Sequence, residues 1–210
     1  SFLEQSKLTT PDPIKINNNM AEALEHDSKF LSMEASSHGL EQDRLKGLNI
    51  DYAILTSFSH DHLDYHGDME SYQTAKEKLF YDLTPKKNVI CIDSPFGEKL
   101  YLDLLKNNPD TYSVSIKKDA DFYASFEESS IGLKVNLKAL DKNLTFEIRT
   151  ISRYLASNFI CSIAILILEE MDISAISKLT KEIKMPLGRL EKIMKEDHTC
   201  LLYTSDAADE

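Results

Sequence analysis

The sequence predicts an α/β fold, in which helices flank a mostly parallel sheet and an antiparallel β ribbon extends that sheet. Between residues 29 and 115, short apolar runs alternate with segments of helical period, and this β-α-β spacing is typical of a parallel sheet. Between residues 121 and 150, short alternating runs follow one another without a helix, which favours antiparallel strands. The 210 residues, 42% of them hydrophobic, suffice for one domain with a single core.

The predicted elements have the following bounds in chain order. Strands are predicted at residues 29–35, 51–57, 88–92 and 111–115, and helices at residues 40–46, 69–82 and 96–107. The alternating runs of the ribbon are residues 122–124, 132–135 and 144–148. Two further helices are predicted at residues 153–171 and 174–183, and Met185-Pro186 ends the second because a residue before proline avoids the helical conformation.

The composition argues against several classes of function. A formal net charge of −11 is unsuited to a protein that neutralises nucleic-acid phosphates. The longest apolar run, residues 154–168, is shorter than the roughly 20 residues of a membrane-spanning helix, so we interpret it as a buried core helix. The three cysteines, Cys91, Cys161 and Cys200, lack C-x-x-C spacing and are odd in number, so we interpret them as free thiols of a cytoplasmic protein.

Residues 59–67, with the sequence S-H-D-H-L-D-Y-H-G, form the densest group of functional side chains. They follow a predicted strand, and in an open α/β sheet ligands bind where the strands end. Three imidazoles and two carboxylates can hold a divalent cation or anchor polar substrate groups; a solvated loop is the alternative. The start His60-x-His62-x-Asp64 also resembles a motif of dinuclear zinc hydrolases, but Tyr65 stands where they have histidine, and the later ligands are missing.

A second group of polar residues begins with Glu34, at the end of the first predicted strand, and continues into the next helix. Ser36 or Ser37 is a candidate N-cap for that helix. N-capping accounts for the presence of one serine, but it does not account for Glu34 at the end of the predicted strand or for the pair Gln42 and Arg44. An arginine next to hydroxyl groups at a helix start is a good receptor for a carboxylate or a phosphate.

Lys76 interrupts an apolar stripe of the helix predicted at residues 69–82. At 100° per residue, Met69, Tyr72, Leu79 and Phe80 share one face of that helix, and Lys76 projects through the middle of this face. Such a lysine either extends its amine to the rim of the core or acts as an amine of lowered pKa in a functional site.

Three strings in this order and spacing resemble the Mur ligase family: M-E-A-S-S-H-G-L-x-Q-x-R, D-H-L-D-Y-H-G-D-M-E-x-Y and A-K-x-K-L-F. The resemblance is strongest to the ligases that add the third amino acid, meso-diaminopimelate or L-lysine, to UDP-N-acetylmuramoyl-L-alanyl-D-glutamate. It extends from residues 8–10 to residues 188–191, and residues 61–72 are its most specific part.

The resemblance implies the central, ATPase-type domain of a ligase that uses ATP and Mg²⁺ in peptidoglycan precursor synthesis. The substrate carboxylate would be activated as an acyl phosphate, and the incoming amine would then displace phosphate to form an amide. By position, Glu34 and His62 would be magnesium ligands, and Lys76 would be a carbamylated catalytic lysine whose new carboxylate also binds magnesium. The residues expected to bind the UDP-linked substrate are Thr9, Thr10, Ser36, Gln42 and Arg44. Asn158 would lie near the adenine nucleotide, with an internally bonded polar group of a core helix as the alternative.

This sequence departs from the family pattern at several positions. Ser57 and His60 replace an asparagine and a common arginine, and Ser152 and Leu155 replace a glycine and an asparagine of the nucleotide-side helix. No G-x-x-G-K-[ST] phosphate loop is present, and family order places that loop just before Ser1, so the P-loop segment is expected upstream. We therefore expect this fragment to be inactive alone.

The resemblance also divides the chain. We expect residues 1–187 to be the central domain, truncated at its N-terminus, and residues 188–196 to begin a linker to a further domain. Residues 197–210 show no clear period and are interpreted as a foreign or disordered tail. A monomer is expected. The alternative functions are a folylpolyglutamate synthase-like ligase and a non-catalytic remnant that binds the nucleotide-sugar substrate.

Overall fold

The computed structural model describes residues 8–183, 189–195 and 198–203, with the side chains of residue 181 and of the residues after 183 left aside. Within these ranges the chain divides into two compact units. The first unit contains residues up to 53 together with residues 60–86, and the second contains residues 54–59 and the chain from residue 87 onward.

The first unit is built from helices. They are α1 (Pro13–Glu25), α2 (Ser37–Glu41), α3 (Leu63–His66) and α4 (Met69–Tyr81). The start of α1 follows from its sequence, because the Asp12 side chain accepts hydrogen bonds from two amides of the first turn and Pro13 needs no such partner. Ile16, Leu40 and Leu45 form one of its buried hydrophobic clusters, and Met20 and Leu79 pack against them.

The prediction of a strand at residues 29–35 is wrong, because the structure has neither a helix nor a strand there. Its apolar residues are exposed instead of buried, and Phe30 keeps 70% of its surface in contact with solvent. A strand is stabilised by hydrogen bonds to a neighbour, and no described strand pairs with this segment. The apolar pattern alone therefore did not decide its conformation.

The helix predicted at residues 40–46 is shorter and begins earlier, because α2 comprises Ser37–Glu41. Ser36 is its N-cap, as the sequence had indicated for Ser36 or Ser37, and its side chain accepts a hydrogen bond from the Gly39 amide. Turns follow the helix, and Asp43 has a φ of 54°. A residue in this left-handed region interrupts helical hydrogen bonding, which explains the early end of α2.

Six strands form one sheet whose spatial order equals their order in the chain. They are β1 (Tyr52–Leu55), β2 (Lys87–Cys91), β3 (Thr111–Ser115), β4 (Phe122–Ser129), β5 (Gly132–Ala139) and β6 (Lys142–Ile148). Strand β2 runs parallel to β3 and β3 parallel to β4, whereas β4, β5 and β6 are antiparallel. The predicted fold class, a parallel sheet extended by an antiparallel ribbon, is confirmed.

Helices α5 (Pro95–Leu105), α6 (Arg153–Leu168) and α7 (Ile173–Glu182) complete the second unit, close to their predicted bounds. Helix α6 is the buried core helix that the sequence predicted, since Ile160, Cys161 and Ala164 are inaccessible to solvent and belong to the same core as strands β4 to β6. No helix among the described residues has the length and apolar character needed to cross a membrane. The predicted stop at Met185-Pro186 lies outside the described residues.

A separate two-stranded antiparallel sheet follows, formed by β7 (Arg189–Lys195) and β8 (His198–Tyr203). Strand β8 occupies part of the segment 197–210, for which the sequence indicated no regular structure. The segment is too short to show a period, and its pairing with β7 supplies the hydrogen bonds that a strand requires. The domain boundary predicted at residues 187–188 falls among residues that the structure does not describe.

Candidate functional site

Thr10 connects two segments of the first unit. Its side chain is fully buried, its Oγ1 donates a hydrogen bond to the backbone oxygen of Glu34 at 2.7 Å, and the Ser36 amide donates to the same Oγ1 at 2.8 Å. One hydroxyl thus uses both its donor and an acceptor to hold the residues that precede α2. Thr9, its neighbour, is exposed.

Arg44 and Gln42 extend this network. The Arg44 Nη1 donates to the backbone oxygen of Thr10 at 2.6 Å, and its Nε and Nη2 both donate to the Gln42 Oε1, at 3.0 and 2.6 Å. The Gln42 Nε2 in turn donates to the Tyr65 hydroxyl at 3.1 Å. Four of the five residues predicted to bind substrate, Thr10, Ser36, Gln42 and Arg44, are therefore joined by direct contacts.

Two of the three histidines in the segment 59–67, His62 and His66, lie close to His38. The ring of His62 lies edge-on to His38, with centroids 5.2 Å apart, and to Tyr72 at 5.9 Å. His62 has a φ of 52°, an uncommon conformation for a residue other than glycine. His60 is exposed. Burial, followed by the proximity of His62 and His66, lowers the pKa of His38, so the cluster favours neutral imidazole at this position.

Lys76 is half-buried and lies where the sequence predicted, on the α4 face that also carries the buried Tyr72 and Phe80. Its Nζ donates to the backbone oxygen of Ala35 at 3.3 Å and lies 5.9 Å from the centroid of the Tyr72 ring. Desolvation lowers the pKa of Lys76, and the charges of Glu34 and Asp61 oppose this shift. Burial thus favours the neutral form of this amine, and its role in a functional site stays a prediction.

The magnesium that the resemblance implies can be compared with the side chains around Lys76. Among the described residues, no three His, Cys, Asp or Glu side chains lie together in a way that could hold a metal ion. The carboxylates of Glu34 and Asp61 are nevertheless close enough for their charges to favour the protonated form of the Lys76 amine. A carbamate on that amine would add a third carboxylate-like group, and such oxygen ligands are the kind that magnesium prefers.

Asn158 belongs to the second unit, in the second turn of α6. Its side chain is exposed, and only its backbone oxygen has a described hydrogen bond, from the Ser162 hydroxyl at 3.4 Å. The alternative of an internally bonded polar group is therefore wrong. Ser152, one of the departures from the family pattern, is the N-cap of α6 and accepts a hydrogen bond from the Leu155 amide.

Three residues to which the sequence assigned no specific role in the site contact site residues in the structure. Tyr65 hydrogen-bonds Gln42, Asp61 acts on Lys76, and Ser37 lies 2.8 Å from the Nε2 of His66. Asp61 is next to His62 and could have been recognised from that position. The contact of Ser37 with His66 joins residues 29 positions apart and leaves no local pattern in the sequence.

Comparisons with known proteins show the family to which this chain is similar. Residues 1–166 match the family described as Mur ligase middle domain. Two curated relatives, from Pseudomonas putida and Neisseria meningitidis serogroup B, are named UDP-N-acetylmuramoyl-L-alanyl-D-glutamate--2,6-diaminopimelate ligase and are 29% and 31% identical to this chain over 219 and 214 residues. Each alignment covers 99% of this chain but only 44% of the relative. The chain thus spans less than half the length of these relatives.

Solved structures show the same likeness. A structure of a ligase with that same name superposes with a TM-score of 0.82 at 28% identity, covering 94% of this chain and 41% of the other. MurF from Acinetobacter baumannii gives a TM-score of 0.64 at 16% identity, covering 73% and 34%. Mycobacterium tuberculosis folylpolyglutamate synthase, complexed with ADP and AMPPCP, gives 0.61 at 18% identity, covering 76% and 37%. The last two share the fold.

Proposed function

The chain belongs to the Mur ligase middle-domain family, and from that premise we propose that it is the central part of an ATP-dependent ligase acting on UDP-N-acetylmuramoyl-L-alanyl-D-glutamate. The ligase would add the third amino acid, meso-diaminopimelate or L-lysine, and the names of the relatives favour 2,6-diaminopimelate. The substrate carboxylate takes the γ-phosphoryl group of ATP, and the incoming amine then displaces phosphate to form the amide. This reaction is a step of peptidoglycan precursor synthesis. The ligase is proposed to be cytoplasmic and monomeric.

The network of Thr10, Ser36, Gln42 and Arg44 is the observation that carries this proposal. These residues lie in three segments of the first unit, yet hydrogen bonds between 2.6 and 3.0 Å connect them. The guanidinium of Arg44 gives the network a positive charge for an anionic substrate group. The exposed Thr9 lies beside this network and would add a hydroxyl contact.

Lys76 has the properties that carbamylation requires. The neutral amine attacks the carbon of CO₂, an N–C bond forms and one proton leaves, which yields a carbamate anion. Desolvation favours the neutral amine and therefore supports the first step. The carbamate then carries a negative charge at the end of a long side chain, in the position where the resemblance places a catalytic group.

Glu34, His62 and the Lys76 carbamate would hold magnesium. Once bound, Mg²⁺ supplies positive charge that neutralises crowded phosphate and carboxylate oxygens. Asp61 accepts a hydrogen bond from the backbone amide of His62 at 2.9 Å, and its second oxygen lies 3.7 Å from the His62 Nε2. Asp61 thus contacts both the backbone and the imidazole of His62. On the nucleotide side, the exposed Asn158 amide would contact the adenine nucleotide of ATP.

Calorimetry on the purified chain tests the substrate. We expect UDP-N-acetylmuramoyl-L-alanyl-D-glutamate to bind and the Arg44→Ala variant to lose at least about tenfold in affinity, since a charge-assisted contact disappears. Arg149→Ala, at an exposed arginine, is the matched control and should bind like the wild type. Preferential binding of a folate acceptor would favour the folylpolyglutamate synthase-like alternative. Absence of binding to both would contradict the proposal.

Carbon-13 NMR with labelled bicarbonate tests the carbamate. A carbamate resonance should be present in the wild type and in Lys78→Arg, and absent in Lys76→Arg. A resonance that persists in Lys76→Arg would exclude this role. In the longer protein that contains this domain, turnover that needs ATP, Mg²⁺ and the amino acid distinguishes a ligase from a binding remnant, which would take up substrate without making product.

A further inference from the structure

The side chain of His66 is completely buried and faces α2 with both of its nitrogens. Its Nε2 lies 2.8 Å from the Oγ of Ser37, in the first turn of α2, and its Nδ1 lies 3.2 Å from a carboxylate oxygen of Glu41, the last residue of α2. Ser37 is itself only 1% exposed. One ring therefore contacts both ends of a neighbouring helix.

The short helix α3, which ends at His66, has little to stabilise it by itself. It comprises four residues, and isolated helices of this length do not persist in water. Its N-cap, His62, is in the left-handed conformation and forms no side-chain capping bond, and Gly67 after its end also has positive φ. The segment depends on contacts outside itself, and His66 is its fully buried side chain.

The two contacts of His66 differ in kind. The Nδ1 is at ion-pair distance from Glu41, but it makes no hydrogen bond of regular geometry to any described residue. A carboxylate at this position favours the tautomer with hydrogen on Nδ1, which leaves Nε2 to accept a hydrogen bond from the Ser37 hydroxyl. The bond from Ser37 is then a directional contact between α3 and α2, in addition to the bond from Gln42, the C-cap of α2, to the Tyr65 hydroxyl.

Ser37, His66 and Glu41 contact one another in the same sequence as the residues of a hydrolytic Ser-His-Glu triad. Unlike the serine of such a triad, however, Ser37 is not accessible to a substrate. A nucleophile must reach the substrate, and the hydroxyl of Ser37 is enclosed. A structural linkage between the two helices explains the same distances without any covalent step.

We infer that His66 is a positioning residue that fixes α3 on α2 and thereby holds the imidazole of His62 next to His38 and Tyr72. His62 is the N-cap of α3, and the His66 amide donates to the His62 backbone oxygen at 3.0 Å, so a shift of His66 moves His62. The consequence for metal binding rests on the proposed function, in which His62 is a magnesium ligand. The linkage of α3 to α2 through His66 does not depend on the proposed function.

Three variants of the full chain separate the contribution of the aromatic packing of His66 from that of its ring nitrogens. His66→Phe keeps the aromatic packing against Tyr72, whose ring centroid is 5.3 Å away, and removes both nitrogens. His66→Gln places an amide at the same number of bonds from Cα as Nε2, so it can restore the contact with Ser37. Ser37→Ala removes the partner. His26→Phe, at an exposed histidine, is the matched control.

Hydrogen exchange and Mn²⁺ binding are the two measurements, with bicarbonate present. In His66→Phe and Ser37→Ala, the α3 amides should exchange at least about tenfold faster while those of α4 are unchanged. Mn²⁺ should bind about tenfold more weakly in both variants. His66→Gln should restore both values to within about twofold. The control should match the wild type.

Each result that differs from these expectations overturns a different part of the proposal. Wild-type exchange of the α3 amides in His66→Phe would overturn the linkage, whatever the metal does. Faster exchange with unchanged Mn²⁺ affinity would overturn the positioning of His62. If the wild-type chain does not bind Mn²⁺, the proposed metal site fails and the positioning role fails with it, while exchange still decides whether His66 joins the two helices.

Discussion

Arg44 donates a hydrogen bond to the backbone oxygen of Thr10 over 2.6 Å, although 34 positions separate the two residues in the chain. The same guanidinium donates twice to the side chain of Gln42. A planar group with fixed N–H directions can satisfy both partners at once. Arg44 therefore holds the candidate substrate site together in addition to giving it a positive charge.

Replacing Arg44 with lysine should damage this network even though the charge is kept. An ammonium group has no planar fork and cannot serve Thr10 and Gln42 in the same geometry. We expect the free energy of unfolding to fall by about 1–2 kcal/mol, because hydrogen bonds of a half-buried group are lost. Urea denaturation measures this, and Arg149→Lys serves as the exposed control. Equal stability of Arg44→Lys and wild type would show that the fork is dispensable.

The lowered pKa of Lys76 can be measured by carbon-13 reductive methylation and NMR titration. Lys76 should titrate below the exposed lysines, because burial disfavours its charged form. Glu34→Gln and Asp61→Asn should each lower its pKa further, since both carboxylates favour the ammonium ion. Glu70→Gln, an exposed change on the same helix, is the control. A rise of the Lys76 pKa in either carboxylate variant would contradict the assigned cause.

Asp68, the N-cap of α4, gives a pH dependence of defined sign. Its hydrogen bond with the Ser71 amide lowers the pKa of Asp68, so the folded state prefers the carboxylate. The contribution to stability is present above the ordinary aspartate pKa of about 4 and is lost as pH falls through the folded value. Asp68→Ala should therefore lower Tm at pH 7, and the difference from wild type should shrink in acid.

Two further variants check the origin of that effect. Asp68→Asn keeps a capping oxygen at every pH and should show a flatter dependence of Tm. Asp82→Ala removes the same side chain from the opposite end of α4, where a negative charge is unfavourable, so its Tm should be unchanged or higher. A loss of Tm in Asp82→Ala as large as in Asp68→Ala would count against a capping effect.

Cys91 and Cys161 should resist alkylation in the folded chain. Both are buried, and burial is the largest of the causes that raise their thiol pKa values. Because the folded state favours the neutral thiol, this contribution to stability is complete below the ordinary thiol pKa of about 8.5 and is lost as pH rises above it. Iodoacetamide labelling with mass spectrometry should modify both residues only after urea unfolding. Ser130→Cys provides an exposed thiol for comparison, and rapid labelling of Cys161 without urea would refute the prediction.

The sequence predicted best those elements whose signals are local. Strand β3 has its predicted bounds, and α4 differs by one residue at its end, because an apolar run and a helical period are each contained within the segment. The segment at residues 29–35 has the same kind of apolar pattern but no described strand beside it. Whether such a segment becomes a strand depends on a partner, which the pattern does not reveal.

The candidate site follows the same rule. Ser36 as a cap and Lys76 on the apolar face of a helix could be predicted, since both depend on neighbours within a few residues. The contact of Ser37 with His66 and that of Arg44 with Thr10 could not, because they join distant parts of the chain. The family resemblance had grouped several of these residues by role, and the structure gives the bonds that connect them.

The exposed apolar stretch around Phe30 and Leu31 has a consequence for how the chain behaves in concentrated solution. Apolar side chains open to water attract one another between molecules, whereas the net charge of −11 keeps the molecules apart. Added salt shortens the range of that repulsion to about 10 Å at 0.1 M and leaves the attraction in place. Precipitation should therefore begin at lower protein concentration as ionic strength rises or as pH approaches the isoelectric point near 5.0.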